Sequence, residues 1–252
     1  ADSGVLSQTD ENGEFPQETP GELGERGQVK SFGKIWGVTR QVLLAGGIDW
    51  LQQANDLGRA AARTIGAELV AYLESNPTMI DTNALYDAVN HLNITPTAGA
   101  PSAATIREVY TTLGNQTDRS SANPTKLNLQ PGVLLVPADL AFDALTLRNA
   151  AWPPGIQGGD DLGLSVVSDS RLDGSAWYSF TRPGTGPGLC VLGIDPGSSD
   201  PYAVKRPSIE PVIQLMDAAQ DPGWADAEFW KITLDFAIAC LDWRTTTRTA
   251  TA

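Results

Sequence analysis

Histidine, cysteine and methionine are nearly missing from this 252-residue chain, which has one His, two Cys and two Met. With a single histidine, His91, any Ser-His-Asp or Cys-His relay must run through that one residue. Its neighbours Asn90 and Asn93 read as turn residues, so His91 is expected to be structural. There is no G-x-S-x-G segment, and Ser175, Ser198 and Ser199 sit in turn sequences, which disfavours a serine hydrolase. The phosphate-binding glycine loop and the dinucleotide fingerprint are absent, and TDENGEF lacks the full spacing of a calcium loop. No cofactor and no metal are expected.

Cys190 and Cys240 lie in the apolar runs GLCVLGI and FAIACLDW, where a thiol packs as a small hydrophobe and builds no disulfide framework. That usage fits a reducing, cytosolic origin. No stretch reaches the roughly 18 apolar residues of a membrane span, and no basic-then-apolar leader is visible, so no membrane partner is expected. The first residue is Ala1, which leaves a processed or a trimmed start equally open. Positive charge is scarce: 17 Lys and Arg against 30 Asp and Glu give a net charge of −13. Proteins that grip nucleic acid neutralise phosphates with Lys and Arg, so contact with DNA is expected to be weak or local.

The acid is concentrated at the start. Asp2, Asp10, Glu11, Glu14, Glu18, Glu22 and Glu25 all precede the first basic residue, Arg26, among Gly13, Pro16, Pro20, Gly21 and Gly24. Such a segment buries too little apolar surface to order itself alone. It is either a solvated tail or an arm that orders in an assembly.

After it comes a long extended pattern, QVKSFGKIWGVTRQVLL, residues 28–45 with the following alanine, in which Val29, Phe32, Ile35 and Val38 alternate with Lys30, Lys34, Thr39 and Arg40. Its expected partner is GEFPQET, residues 13–19, across the PGELGERG turn, giving an extended hairpin. Gly46 and Gly47 break the strand. Trp50, Leu51, Ala54, Leu57, Ala61, Ile65, Leu69, Tyr72 and Leu73 then recur at helical spacing, predicting a helix over 49–76 that Pro77 stops. At ~1.5 Å per residue that helix is about 42 Å long, more easily explained by a body that bridges neighbours than by one built around a pocket.

A second helix follows with Ser102 as its cap, then a buried strand over 132–137 and a helix over 138–147. Residues 152–163 read as a surface loop. Strands are expected at 164–168, 176–180, 188–194, 211–216 and 229–243, and RTTTRTATA as a loose tail. Helices in the middle with strands around them make the fold class α+β.

Asp160 with Asp161, and Asp195 with Asp200, are the carboxylate pairs available for acid-base work or a hard metal, but they sit among Gly and Pro where Asp commonly makes turns. Of seven Trp, Trp177, Trp230 and Trp243 suit a core. Trp36, flanked by Gly33 and Gly37 on the long strand, suits an interface.

Several segments together resemble one family. They are GQVKSFGKIWGVTRQVLLAGGIDWL with LGRAAARTIGAELVAYLESNPTM, then ALYDAVNHLN, LNLQPGVLLVPADL, DSRLDGSAWYSF and FWKITLDFAIACLDWR. They look like Mu-like prophage major head subunits, most of all the branch whose genes carry or adjoin a ClpP-like prohead protease, over most of residues 28–244. The resemblance implies the tailed-phage capsid fold of the Hong Kong 97 type. Residues 1–10 would be the N-terminal arm, 11–45 the extended hairpin loop, and 46–94 the peripheral domain with its spine helix. Residues 95–220 would build the axial domain with some peripheral segments, and 221–252 the closing strand and tail.

By the same resemblance the chain would be a major capsid subunit of a virion, not an enzyme, assembling with itself as pentamers and hexamers into an icosahedral shell around double-stranded DNA. It would be assembled in the bacterial cytoplasm, with scaffold, maturation protease, portal and decoration proteins as possible partners. No protease region is present, so a maturation protease would be a separate product or already removed. Lys30 and Lys34 fall on the expected hairpin, yet no motif supports a Lys-Asn crosslink. Candidate inter-subunit contacts are the acidic Glu18, Glu22 and Glu25, the basic Arg26, Lys30, Lys34 and Arg40, and Trp36. The competing readings are a cytosolic hydrolase using Asp160, Asp161 or Asp173, an acidic module that docks one partner through the arm, and, within the shell class, a gene-transfer particle or encapsulating shell.

Overall fold

The computed structural model describes residues 25, 27–46, 50–118, 124–150, 163–193, 212–215 and 227–249. In chain order these form β1 (Lys30–Thr39), α1 (Arg40–Leu44), α2 (Trp50–Ser75), β2 (Ile94–Thr95), α3 (Ala103–Gly114), β3 (Pro131–Pro137) and α4 (Ala141–Ala150). Then come β4 (Ser165–Asp169), β5 (Tyr178–Thr181), β6 (Leu189–Gly193), β7 (Val212–Leu215), β8 (Ala227–Cys240) and β9 (Thr246–Thr249). Two compact units share these elements. The first holds Gly27–Tyr72 and Val191–Ala239; the second holds Glu25, Leu73–Cys190 and the chain from Cys240.

The first unit is built on a sheet in the order β1-β8-β6, with β7 also pairing β8. β1 runs antiparallel to β8 along its whole length, from Lys30 opposite Phe236 to Thr39 opposite Ala227. The partner expected for β1, residues 13–19, lies outside the described residues. The strand also stops earlier than its pattern suggested: Arg40–Leu44 coil into one helical turn, closed by Ala45 N–H donating to Gln41 O at 3.0 Å and by Gly46 at φ +64°. None of those five residues is Gly or Pro, and four of them (Arg, Gln and two Leu) are good helix formers.

Strand geometry sorts the side chains of β1 differently from the sequence reading. Successive residues face opposite ways, so Phe32 and Val38 share a face while Ile35 turns to the other and is 53% exposed. On the covered face Phe32 stacks on Phe236 with centroids 4.9 Å apart, and Leu234, Ile65, Val191 and Ile238 close around Ala61 of α2. Ala61 is small, which lets the helix lie close to the strands. Burying Phe236 and Leu234 there contributes about 1.5–3 kcal/mol each. On the open face Phe229 leans over Gly37, where a Cβ would meet its ring at 2.5 and 2.7 Å.

Helix α2 spans 26 residues and matches the expected 49–76 to within a residue at either end. Asn76 follows it in the left-handed region at φ +46°, and its side-chain amide pairs with Tyr86, accepting from Tyr86 N–H at 2.7 Å and donating to Tyr86 O at 3.0 Å. A positive φ just past the last turn ends the helix, and Pro77 cannot resume it.

The second unit carries a five-stranded sheet in the order β2-β9-β5-β3-β4, mixed in direction: β2 with β9 and β3 with β4 are parallel, β9 with β5 and β5 with β3 antiparallel. Ser102 caps α3 as expected, its hydroxyl accepting from Thr105 N–H at 3.2 Å while Thr105 Oγ1 accepts from Ser102 N–H at 2.8 Å. This reciprocal box aligns Ile106, Val109 and Leu113 over Leu134 and Val136 of β3, with Ala144, Leu164 and Trp177 completing the core. Trp177 is fully buried, and its indole N–H donates to Gly99 O at 3.0 Å. Gly132 sits at a register shift between β3 and β5, where a Cβ would strike the Arg182 backbone at 2.7 Å.

The threonine-rich run expected as a loose tail is instead β9, paired on both sides, with Thr246, Thr247 and Thr249 each 1% exposed. Threonine is β-branched and suits a strand. Two of its hydroxyls have partners inside: Thr246 Oγ1 bonds the Tyr86 hydroxyl at 3.0 Å, and Thr249 Oγ1 accepts from Trp177 N–H at 2.9 Å.

Candidate inter-subunit surfaces

Of the eight contact residues expected from the sequence, Glu18, Glu22 and Arg26 lie outside the described residues. Glu25 is committed to its own chain: both carboxylate oxygens accept from Ile80 N–H at 3.2 Å. Lys30, Lys34 and Trp36 lie on the same face of β1 as Phe32 and Val38, at four- and two-residue steps, with Arg40 opening the helical turn beyond. Lys30 Nζ lies 3.3 Å from Glu68 of α2; both groups are open to water, so the pair contributes only about 0–1 kcal/mol. Lys34 and Arg40 are exposed, and Trp36 is half-buried in register opposite Trp230. The chain therefore presents a basic edge with an aromatic residue set into it.

A second surface, which the sequence reading missed, is the tip of the loop after α2. Asp87 accepts from the N–H groups of Val89 at 2.6 Å and Asn90 at 2.7 Å. Asn93, fully buried, accepts from Asp87 N–H at 3.0 Å and donates to Leu85 O at 2.8 Å and Trp243 O at 3.3 Å. The two ring nitrogens of His91 face two acceptors, Leu85 O at 3.1 Å and the Asp81 carboxylate at 2.6 Å. Gln116 anchors the far side by donating to His91 O at 3.1 Å. The loop is thus tightly tied inside, yet its outer side holds Val89 at 79% and Leu92 at 63% exposure. The only legible signal was the density of Asp and Asn, which favour turns that bond their own backbone.

Charge at the loop is fixed by these bonds. The backbone N–H groups of Asn90 and Val89 hold the Asp87 carboxyl below its usual range. Burial pushes Asp81 up, but the His91 ring and the Asn83 N–H outweigh it and leave that carboxyl lowered as well. Both stay ionised at neutral pH.

Burial pushes the Cys240 thiol up to about 12, which makes it a poor nucleophile, and Cys190 is free and half-buried. Asp173 is exposed, and its N–H donates to Glu74 at 3.0 Å. Asp160, Asp161, Asp195 and Asp200 lie outside the described residues. Among the described residues no group of three His, Cys, Asp or Glu side chains is placed to hold a metal, and no helix is long and apolar enough to cross a membrane.

A basic strand edge and a stiff apolar loop tip are features of a surface that meets other chains, and comparison with known proteins decides which kind. The family described as phage capsid protein matches residues 24–249. The chain belongs to the phage capsid proteins. As a phage capsid protein it is a structural, self-associating subunit of the virion shell and not an enzyme, so the hydrolase reading falls. No curated protein matches it in sequence. Among solved structures, the capsid of cyanophage Pam1 is similar with a TM-score of 0.56 at 10% identity, over 99% of this chain and 83% of that one. Mycobacterium phage Adephagia gives 0.55 at 13% identity, over 100% and 82%. The SrpI encapsulin of Synechococcus elongatus gives 0.52 at 11%, over 88% and 73%. At these identities the likeness is one of fold, and it places this capsid protein in the α+β architecture that its sequence resemblance implied.

Proposed function

We propose that this capsid protein is the major tile of an icosahedral shell enclosing double-stranded DNA, arranged as pentamers and hexamers. The observation that carries this reading is β1: it stands at the end of its sheet among the described residues, and of its ten residues only Val38 is buried. A strand that long with so little cover gains its stability where other chains lie on it, because edges left open invite pairing. Residues 1–10 would act as arm, 11–45 as the extended loop, 46–94 as peripheral domain, 95–220 mainly as axial domain and 221–252 as closing segment.

Glu18 and Glu22 in the acidic N-terminal segment of one copy would meet Arg26, Lys30, Lys34 and Arg40 of a neighbour, with Trp36 as the apolar anchor. Such rim charges steer encounter more than they add strength. The net charge of −13 keeps contact with packaged DNA weak, so that the genome is able to leave. Scaffold, maturation protease, portal and decoration proteins are the further partners of this reading.

Electron microscopy of the purified chain tests it. Closed particles of uniform size with five-fold vertices are expected. A species that stays monomeric at high protein concentration in both low and moderate salt would overturn it.

A further inference from the structure

We infer that residues 80–93 make a docking knob whose Val89 and Leu92 seat on the Arg40–Leu44 turn of a second copy of this chain. This rests on the shell reading above, and it adds a contact separate from the arm and from the edge of β1.

Three observations carry it. First, the exposure of Val89 and Leu92 is built in. The loop beneath them is closed by the Asp87, Asn93, His91 and Gln116 bonds, and Leu92 is held in the left-handed region at φ +51°. A branched apolar residue adopts that backbone reluctantly, so the fold spends strain to keep this side chain outward, a pattern that clusters at binding sites.

Second, the proposed seat has matching chemistry. Leu44 is 76% and Val42 40% exposed on a turn of five residues. Bringing Val42 and Leu44 against Val89 and Leu92 would remove apolar surface of both segments from water.

Third, the charges are opposite. Residues 77–93 contain Asp81 and Asp87 and no Lys or Arg, and both carboxyls are held ionised. Residues 34–50, the turn and six residues to either side, hold Lys34 and Arg40 against Asp49 and so carry a net positive charge. Phe142, at 78% the most exposed of the other large hydrophobics among the described residues, is flanked by Asp139 and Asp143, which give the acidic knob nothing to complement. Because knob and seat are different surfaces, each copy offers both, and the contact runs head to tail. A head-to-tail contact closes into rings when the rotation allows, which a two-fold contact cannot do.

The test uses the full chain with Val89→Cys and Leu44→Cys together, assembled and then oxidised. Expected is a non-reducing ladder that climbs beyond dimer, absent from either single variant, since Cys190 and Cys240 are common to all. In parallel, the Val89→Asp, Leu92→Asp double variant is expected to lose about tenfold in particle yield with an unchanged unfolding midpoint. Particles from the double aspartate variant at full yield overturn the knob, as does a cysteine pair that gives no product or only dimers. If the aspartate variant unfolds early, the cysteine ladder alone decides. If the unaltered chain forms no particles at all, the shell reading fails and the knob with it, whereas particles without the ladder sink only the knob.

Discussion

His91 lies flat against Trp243, with ring centroids 4.3 Å apart and planes 10° from parallel. The stack fastens the loop after α2 to the turn that leads into β9. Around it the polar groups are used up: Asn93 reaches Trp243 O, and Arg244, 7% exposed, is neutralised by Asp242 at 2.7 Å and donates to Thr117 O at 3.3 Å. The one histidine of the chain is therefore a keystone of packing.

Replacing His91 with Phe keeps the stack and removes both ring hydrogen bonds. A loss of about 1–3 kcal/mol is expected, read from the midpoint of chemical denaturation. A variant as stable as the parent would mean that the stack alone holds the loop.

Asp81 gives the same contact a pH dependence. Its carboxyl titrates lower in the folded chain than the ordinary value of 3.8, so the folded state is favoured above that pH and the advantage disappears as pH falls through the lowered value. The stability gap between the parent and Asp81→Asn is expected to be full from pH 5 to 7 and to close below about pH 3.8. Denaturation curves across that range check it, and a gap that widens in acid contradicts the assignment.

Thr249→Val keeps a branched strand residue but withdraws the oxygen that accepts from Trp177 N–H. One buried donor is left without its partner, and about 1–3 kcal/mol should go with it. Thermal melts of the purified subunit measure this; no change would show that water or a shifted backbone replaces the hydroxyl.

Gly37→Val brings a side chain into the ring of Phe229. Overpacking of this kind costs about 1–3 kcal/mol, and Phe229→Ala in the same chain is expected to recover most of it. If the two changes simply add, the ring is not what the valine meets.

Deletion of residues 1–24 spares Glu25 at Ile80 and Gly27, where a Cβ would meet Leu192 at 2.9 Å and Ala239 at 3.3 Å. The body should unfold at the parent midpoint while particle yield falls, by sizing and microscopy. Normal shells from the shortened chain would make that segment a solvated tail.

Local rules located most elements because each carried its own signal. The helical recurrence from Trp50 to Leu73, Ser102 before its helix, and the apolar run GVLLVP all specify structure within a few residues. Where the reading slipped, distant partners decide. β9 reads as a tail because Thr246 and Thr249 look solvated until Tyr86 and Trp177, far off in sequence, supply their hydrogen bonds. The three-residue spacing of Phe32 and Ile35 sends them to opposite faces of a strand, and Ile35 is 53% exposed. Charge patterning says nothing of Glu25 accepting from Ile80 N–H, nor of the exposure of Val89 and Leu92, because both depend on how the loop after α2 closes on itself.

The position of β9 has a consequence for biosynthesis. Its slot between β2 and β5 stays vacant while the ribosome adds the 64 residues between β5 and Thr246, leaving two neighbouring edges unsealed on a growing polypeptide. Only translation through Thr249 fills the gap, so a nascent chain interrupted earlier is a candidate for strand exchange and clearance, and never a sound brick for a wall.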